Sequence, residues 1–183
     1  AIDDIKNLVK KVDFYDMVSD PKFILSKGRE LFNLMFSNID LVNSFYETAY
    51  SVRKYRAKRM PYMLPETWFL TMDRVNYSTS LLVLLDIALS KVMDYYGIAG
   101  PMRIVYKNLG KKVFKECTKY VGKNRVERAK KIYERFIEDN KLDQEVAKVT
   151  MATVLLLYDV LEEEATKMTL AMIPMSTPRW LLG

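Results

Sequence analysis

Cations recur every four residues along one segment of this chain. They are Arg103, Lys107, Lys111, Lys115, Lys119 and Lys123. At about 100° per residue, this spacing places them, together with Lys112, on one half of an α-helix. Lysine and arginine side chains bind phosphate groups through their charge, with no need to read bases. The pattern therefore indicates a basic face long enough to follow a polyanion.

The opposite half of the same helix is apolar. It carries Met102, Val105, Tyr106, Leu109, Val113, Cys117, Tyr120 and Val121. Between Arg103 and Arg135 there are twelve Lys and Arg but only three acids, so pairing along the helix does not neutralise the basic face. Gly110 lies inside this helix, where it costs about 1 kcal/mol relative to Ala, which predicts close packing against its backbone. A merely solvated lysine face remains the alternative interpretation.

A second basic cluster precedes the only plausible linker in the chain. Its five cations within seven residues are Arg53, Lys54, Arg56, Lys58 and Arg59. Tyr55 lies among them, and we favour a packing role for its ring over base stacking. Two prolines follow, at the ends of the stretch 61–65, and they interrupt any continuing helix. Both clusters are candidate DNA-binding sites.

Composition excludes several kinds of chemistry. The 183 residues hold 29 Lys and Arg, 23 Asp and Glu, no histidine and one cysteine, for a net charge of +6. Without histidine the usual general base and the commonest metal ligand are missing, so we nominate no catalytic residue, metal site or cofactor and expect no enzyme. The lone Cys117 lies on the apolar helix face, which predicts a small buried side chain.

Hydrophobic periodicity predicts an all-α fold, a helical bundle with an extended N-terminal helical arm. We divide the chain at the linker, into an arm over residues 1–64 and a bundle over 65–183. Asp3 and Asp4 begin a helix through about Val18, and Pro21 begins the next. The expected bundle helices are 66–74, 78–96, 101–121, 124–139 and 142–172. We expect the arm to pack on a partner subunit and on DNA instead of its own bundle.

Uncharged stretches of the chain are too short to cross a bilayer. The runs 75–85 and 149–158, for example, fall far below the roughly 20 residues that a membrane span needs. The last ten residues, 174–183, contain Trp180, Leu181 and Leu182 after two prolines. We expect this tail to dock on a neighbouring subunit or on a lipid layer, because large apolar side chains gain free energy by burial.

The joint before the basic helix carries a resemblance. The pattern is Tyr96-Gly97-Ile98-x-Gly100-Pro101-x-Arg103-x-x-Tyr106-x-x-x-Gly110-x-Lys112-Val113. It resembles a segment shared by the major coat proteins of rod-shaped and filamentous viruses of hyperthermophilic archaea, the rudivirus and lipothrixvirus type. The resemblance covers eighteen residues, 96–113. Residues 1–60 match nothing in that family, and the greater length of the chain favours an enveloped filamentous relative.

The resemblance implies a structural protein of a virion. Coat proteins of this family are helical bundles whose dimers wrap linear double-stranded DNA, held in the A form, into a helical polymer. Filamentous members pair two paralogous coat proteins, so a paralogue or a second copy is the expected partner, within a helical nucleocapsid assembled in the host cytoplasm. Arg103, Lys112 and Lys115 match basic positions of the family segment. Lys107, Lys111 and Lys119 extend the same face beyond the pattern.

Two other classes of protein remain alternatives. A cellular, chromatin-like DNA-binding protein shares the basic face but does not account for the long apolar arm and tail. A helical nuclease requires converging acid and base groups, and the chain offers none that we can nominate. Few thermolabile residues agree with a hyperthermophilic source, although eleven methionines do not.

Overall fold

The computed structural model describes residues 1–37 and 65–176, with side chains described within 1–37 and 77–170. Every regular element in those ranges is an α-helix, so the predicted all-α bundle is confirmed. The helices are α1 (Ile2–Leu8), α2 (Phe14–Met17), α3 (Pro21–Phe36), α4 (Pro65–Tyr95), α5 (Pro101–Lys119), α6 (Gly122–Asn140) and α7 (Gln144–Ser176).

Two helix predictions differ from the structure. The helix expected through Val18 ends at Leu8, and α2 begins at Phe14. A continuous helix would place Leu8 and Phe14 about 120° apart, whereas the turn between them buries both side chains. The segments expected at 66–74 and 78–96 form the single helix α4, because no glycine or proline separates them. The predicted start of α3 is confirmed, with Pro21 in its first turn and the Asp20 carboxylate accepting from Lys22 N.

Residues 1–37 and 85–160 form one compact unit. Within it, the Tyr95 hydroxyl donates to the Asp3 carboxylate. On α3, Gly28 packs so closely against α7 that a Cβ would lie 2.4 Å from the Leu156 carbonyl oxygen. The expectation that the arm avoids its own bundle therefore does not hold for residues 1–37. The physical reason is that the apolar faces of α1 and α3 are buried against helices of the same chain.

The second compact unit comprises residues 38–84 and 161–183. The two units thus cut across the division that we expected between residues 64 and 65. Among the described residues of this unit, Leu81, Leu84 and Leu161 are buried. The linker 60–64 and the C-terminal residues 177–183 lie outside the described part of the chain, so the docking of the tail stays a prediction.

Two glycines and a proline form the joint between α4 and α5. Gly97 and Gly100 have φ angles of 65° and 67°, in the region that side chains with a Cβ rarely adopt. The Ile98 amide donates to the Met93 carbonyl at 2.9 Å, which satisfies the end of α4. Pro101 then begins α5, where its missing N–H removes no hydrogen bond. This joint turns the chain so that α5 packs back along α4.

The close packing predicted at Gly110 is confirmed. A Cβ on Gly110 would lie 2.6 Å from Cδ2 of Leu89, which is a buried residue of α4. Glycine therefore lets α5 approach α4 closely at its midpoint. Helices that approach this closely also bring their flanking side chains within reach of one another, which matters for the cations on α5.

Candidate nucleic-acid interface

The apolar face predicted for α5 is buried over its middle, whereas Met102 and Val121, at the two ends of the predicted stripe, are exposed. The buried side chains of α5 are Tyr106, Leu109, Val113, Phe114 and Cys117. The lysines from 111 onward are exposed on the other side of the helix. Burial raises the pKa of the Cys117 thiol to about 12, as expected for a thiol inside an apolar core. The helix thus presents its cations on the side opposite the core.

The first two cations of the basic face are paired within the chain. Arg103 Nη1 lies 2.7 Å from the Asp94 carboxylate and 3.3 Å from the Ile98 carbonyl oxygen. Lys107 Nζ lies 3.0 Å from the Asp86 carboxylate, and only 17% of the Lys107 side chain is exposed. Both acids belong to α4. The sequence predicts ion pairs only between residues of the same helix, so these carboxylate partners on the neighbouring helix α4 were not foreseen.

The remaining cations of the face stay open to solvent. Lys111, Lys112, Lys115 and Lys119 are all exposed. Among the residues that the structure describes, no carboxylate lies within 4 Å of any of their ammonium groups. Three of them, Lys111, Lys112 and Lys115, line an open pocket of about 440 Å³ that Phe136 and Asn140 of α6 complete. This half of α5 therefore holds uncompensated positive charge beside a groove.

Helix α6 runs antiparallel to α5 and forms the other wall of that groove. The two-residue link Tyr120–Val121 is extended, so the chain reverses direction at once. The resulting register places Lys112 Nζ 5.1 Å from the Phe136 ring centroid and the Arg128 guanidinium 3.8 Å from the Tyr120 ring centroid. We call α5, this link and α6 the basic hairpin.

Aromatic rings in the basic hairpin are covered by its own cations. Lys112 lies over Phe136, and Arg128 lies over Tyr120. Both rings are only partly exposed. Single-stranded nucleic acids are usually bound by bases stacking on open aromatic faces. A cation of the same chain already occupies one face of each ring, so the hairpin is better suited to phosphate contacts than to base stacking.

Arg125 holds the link of the basic hairpin together. It is 7% exposed, and it donates to the carbonyl oxygens of Tyr120 at 2.7 Å and Cys117 at 2.9 Å. Its Nη1 lies 3.2 Å from the Asp159 carboxylate on α7, and its guanidinium lies 5.0 Å from the Tyr158 ring centroid. Arg125 is thus a structural cation that satisfies the C-terminal carbonyls of α5.

Three exposed cations on α6, namely Arg128, Lys131 and Arg135, were counted in the basic region but not nominated as site residues. Their spacing of three and four residues is a helical signal that the sequence contained. The register of α6 against α5, which the two-residue link sets, was the missing information. With it, the second helix adds a second row of positive charge beside the first.

The second predicted basic cluster, Arg53, Lys54, Arg56, Lys58 and Arg59, lies outside the described residues. Three consecutive glutamates, Glu162, Glu163 and Glu164, form an acidic run on α7. Lys167 lies 3.6 Å from Glu163 and 3.4 Å from Glu164, so two members of the run have a lysine partner in the same chain. Across the described residues, no group of three potential metal ligands converges. Within the same residues, no helix is long and apolar enough to cross a membrane.

Comparison of the chain with protein-family models, with curated proteins and with solved structures finds no match. The candidate interface therefore rests on its own geometry and charge.

Proposed function

We propose that this chain is a major coat protein that packages linear double-stranded DNA into a helical filament, as in rod-shaped and filamentous archaeal viruses. The observation that carries the proposal is the open half of α5, where Lys111, Lys112, Lys115 and Lys119 are exposed without a carboxylate partner among the described residues. A solvated helix face usually mixes both signs of charge. This one concentrates a single sign beside a groove, which is what a phosphate backbone requires.

Binding through these lysines is independent of DNA sequence. Each ammonium group replaces counterions condensed on a phosphate, and the released ions supply the favourable free energy. Base edges are not contacted, so every region of a genome is bound alike. A protein sheath that excludes water around the duplex favours the A form, which is the form that DNA adopts at low hydration.

The proposed partners and location follow from the same function. A second coat protein, either a paralogue or another copy of this chain, completes the dimer that repeats along the helical polymer. The polymer is the nucleocapsid of a virion, assembled in the host cytoplasm, and a lipid envelope is one docking surface for the apolar tail. The role is structural, and no enzymatic step is proposed.

A cellular, chromatin-like protein is the second candidate, since the open lysines would serve it equally well. The two candidates differ in what they assemble. A coat protein polymerises on DNA into long filaments of constant diameter, whereas a chromatin-like protein compacts DNA as a small oligomer with irregular spacing.

Assembly on DNA tests the proposal directly. The full chain, alone and mixed with a purified paralogue where one is found, is incubated with linear duplex DNA and viewed by electron microscopy. We expect regular filaments whose length scales with DNA length and which protect the duplex from nuclease. Filaments of equal regularity are expected on scrambled sequences. Absence of filaments together with tight, sequence-selective binding would contradict the proposal.

A further inference from the structure

A second row of cations lies on α6, beside the lysines of α5. Its members, Arg128, Lys131 and Arg135, are exposed and occupy one face of the helix. Together with Glu116 and Ile132 they line a pocket of about 140 Å³. In the part of the chain that the structure describes, none of the three cations has a carboxylate within 4 Å. The row therefore carries three uncompensated charges over two helical turns.

One carboxylate lies in this pocket without forming an ion pair there. Glu116 belongs to α5, and its Oε2 is withdrawn from solvent with no hydrogen-bond partner among the described residues. A buried carboxylate surrounded by cations would normally be paired with one of them. All three cations are exposed and none forms an ion pair with Glu116 in the described structure, which leaves their charge available to an external anion.

We propose that this α6 row, Arg128, Lys131 and Arg135, is a second phosphate-binding line that contacts the DNA duplex alongside the α5 lysines. This inference rests on the proposed function and adds to it a second row of DNA-contacting residues beside the first. Because α5 and α6 pack side by side as antiparallel helices, the two rows of charge run along neighbouring helices. A duplex presents two lines of phosphates on either side of a groove, whereas a single strand presents one.

The same geometry favours DNA over an anionic lipid surface. Amphipathic helices that bind membranes insert exposed apolar side chains between lipid headgroups. In the α6 row the flanking Ile132 is only partly exposed, and the Tyr120 ring lies beneath Arg128. The row therefore offers charge without an apolar anchor, which suits a phosphodiester backbone.

Salt dependence of duplex binding tests the second row. We compare the wild-type protein with the triple variant R128Q/K131Q/R135Q and with a matched control, K10Q/K11Q/K22Q, which removes the same charge from outside the basic hairpin. Glutamine preserves helix propensity. Each lost phosphate contact lowers the log–log salt slope by about 0.9, so the triple variant is expected to flatten it by about 2.7. The control is expected to leave the slope unchanged.

Because Arg128 also packs on the Tyr120 ring, its replacement could disturb the fold. The double variant K131Q/R135Q avoids this problem. It retains that contact and is expected to flatten the slope by about 1.8. An unchanged slope in both α6 variants, with a flattened slope in K111Q/K115Q, would overturn the second row and leave the proposed function standing. Unchanged slopes in all of these variants would overturn both. Loss of binding to anionic vesicles without any change on duplex DNA would also overturn the second row.

Replacing Glu116 should change duplex binding in the opposite direction from replacing the cations. Glu116→Gln removes the one negative charge from the pocket, so we expect duplex affinity at low salt to rise about two- to fivefold. Weaker binding by Glu116→Gln would show that no phosphate is held beside this carboxylate and would overturn the proposal. Circular dichroism confirms that each variant is as helical as the wild-type protein.

Discussion

Both halves of α5 carry cations at the same four-residue spacing, but their surroundings differ. In the first half, Arg103 and Lys107 reach carboxylates on α4, at 2.7 Å and 3.0 Å. In the second half, Lys111 and Lys115 have no such partner in the described structure and face a groove. The carboxylates of the neighbouring helix α4 thus divide the basic face of α5 into two parts. One part is used in ion pairs that stabilise the fold, and the other is free to bind an anion.

Arg125 is a buried cation, and replacing it should reduce the stability of the fold more than replacing any exposed cation of the basic hairpin. Replacing Arg125 by methionine removes its bonds to two α5 carbonyls and leaves the Asp159 carboxylate without its partner. We expect the free energy of unfolding to fall by about 3–5 kcal/mol, measured by denaturant titration. Lys123→Met, an exposed change in the same helix, should stay within about 0.5 kcal/mol of wild type. Equal effects of both changes would show that Arg125 does not hold the link.

The two halves of α5 meet at Gly110. Replacing this glycine should disturb the packing of α5 against α4, on which the difference between the halves depends. An alanine Cβ there would lie 2.6 Å from the tip of Leu89, so either that side chain or α5 must shift. Steric crowding of about 1–3 kcal/mol opposes the gain of about 1 kcal/mol in helix propensity. We expect a net loss of up to about 2 kcal/mol in unfolding free energy for Gly110→Ala.

The clash at Gly110 has an internal check. In the double variant Gly110→Ala with Leu89→Val, the shorter side chain relieves the contact, so the two losses should be less than additive. Strict additivity would show that the close approach of Leu89 is not the reason for glycine at this position.

Cys117, on the buried face of α5, should make the stability of the protein depend on pH. Burial raises the pKa of the Cys117 thiol from an ordinary 9 to about 12. Because the folded state holds the thiol proton more tightly, this contribution is complete below pH 9 and is lost as the pH rises towards 12. We expect the melting temperature to fall over that range, and Cys117→Ala to fall less steeply. Tyr15, whose pKa burial raises to about 12, contributes in the upper part of the same window in both proteins. Parallel melting curves for the two proteins would contradict this account.

Much of the fold could be predicted from local chemistry, but the site could be predicted only in part. Gly97, Gly100 and Pro101 specify their joint through backbone conformation alone. The docking of residues 1–37 on 85–160 could not be read from the chain, because an apolar helix face does not name its partner. For the same reason, the acids that pair with Arg103 and Lys107 became visible only when α4 was placed beside α5.

One pair of matched variants tests the central claim that the two halves of α5 differ in function. R103Q/K107Q and K111Q/K115Q remove two charges each, from the same helix and with the same spacing. The salt slope of duplex binding should fall by about 1.8 in K111Q/K115Q and stay at the wild-type value in R103Q/K107Q. The latter should instead lose up to about 1 kcal/mol of stability for each broken pair. An equal fall in slope for both variants would contradict the account, because it would show that the paired cations also bind DNA.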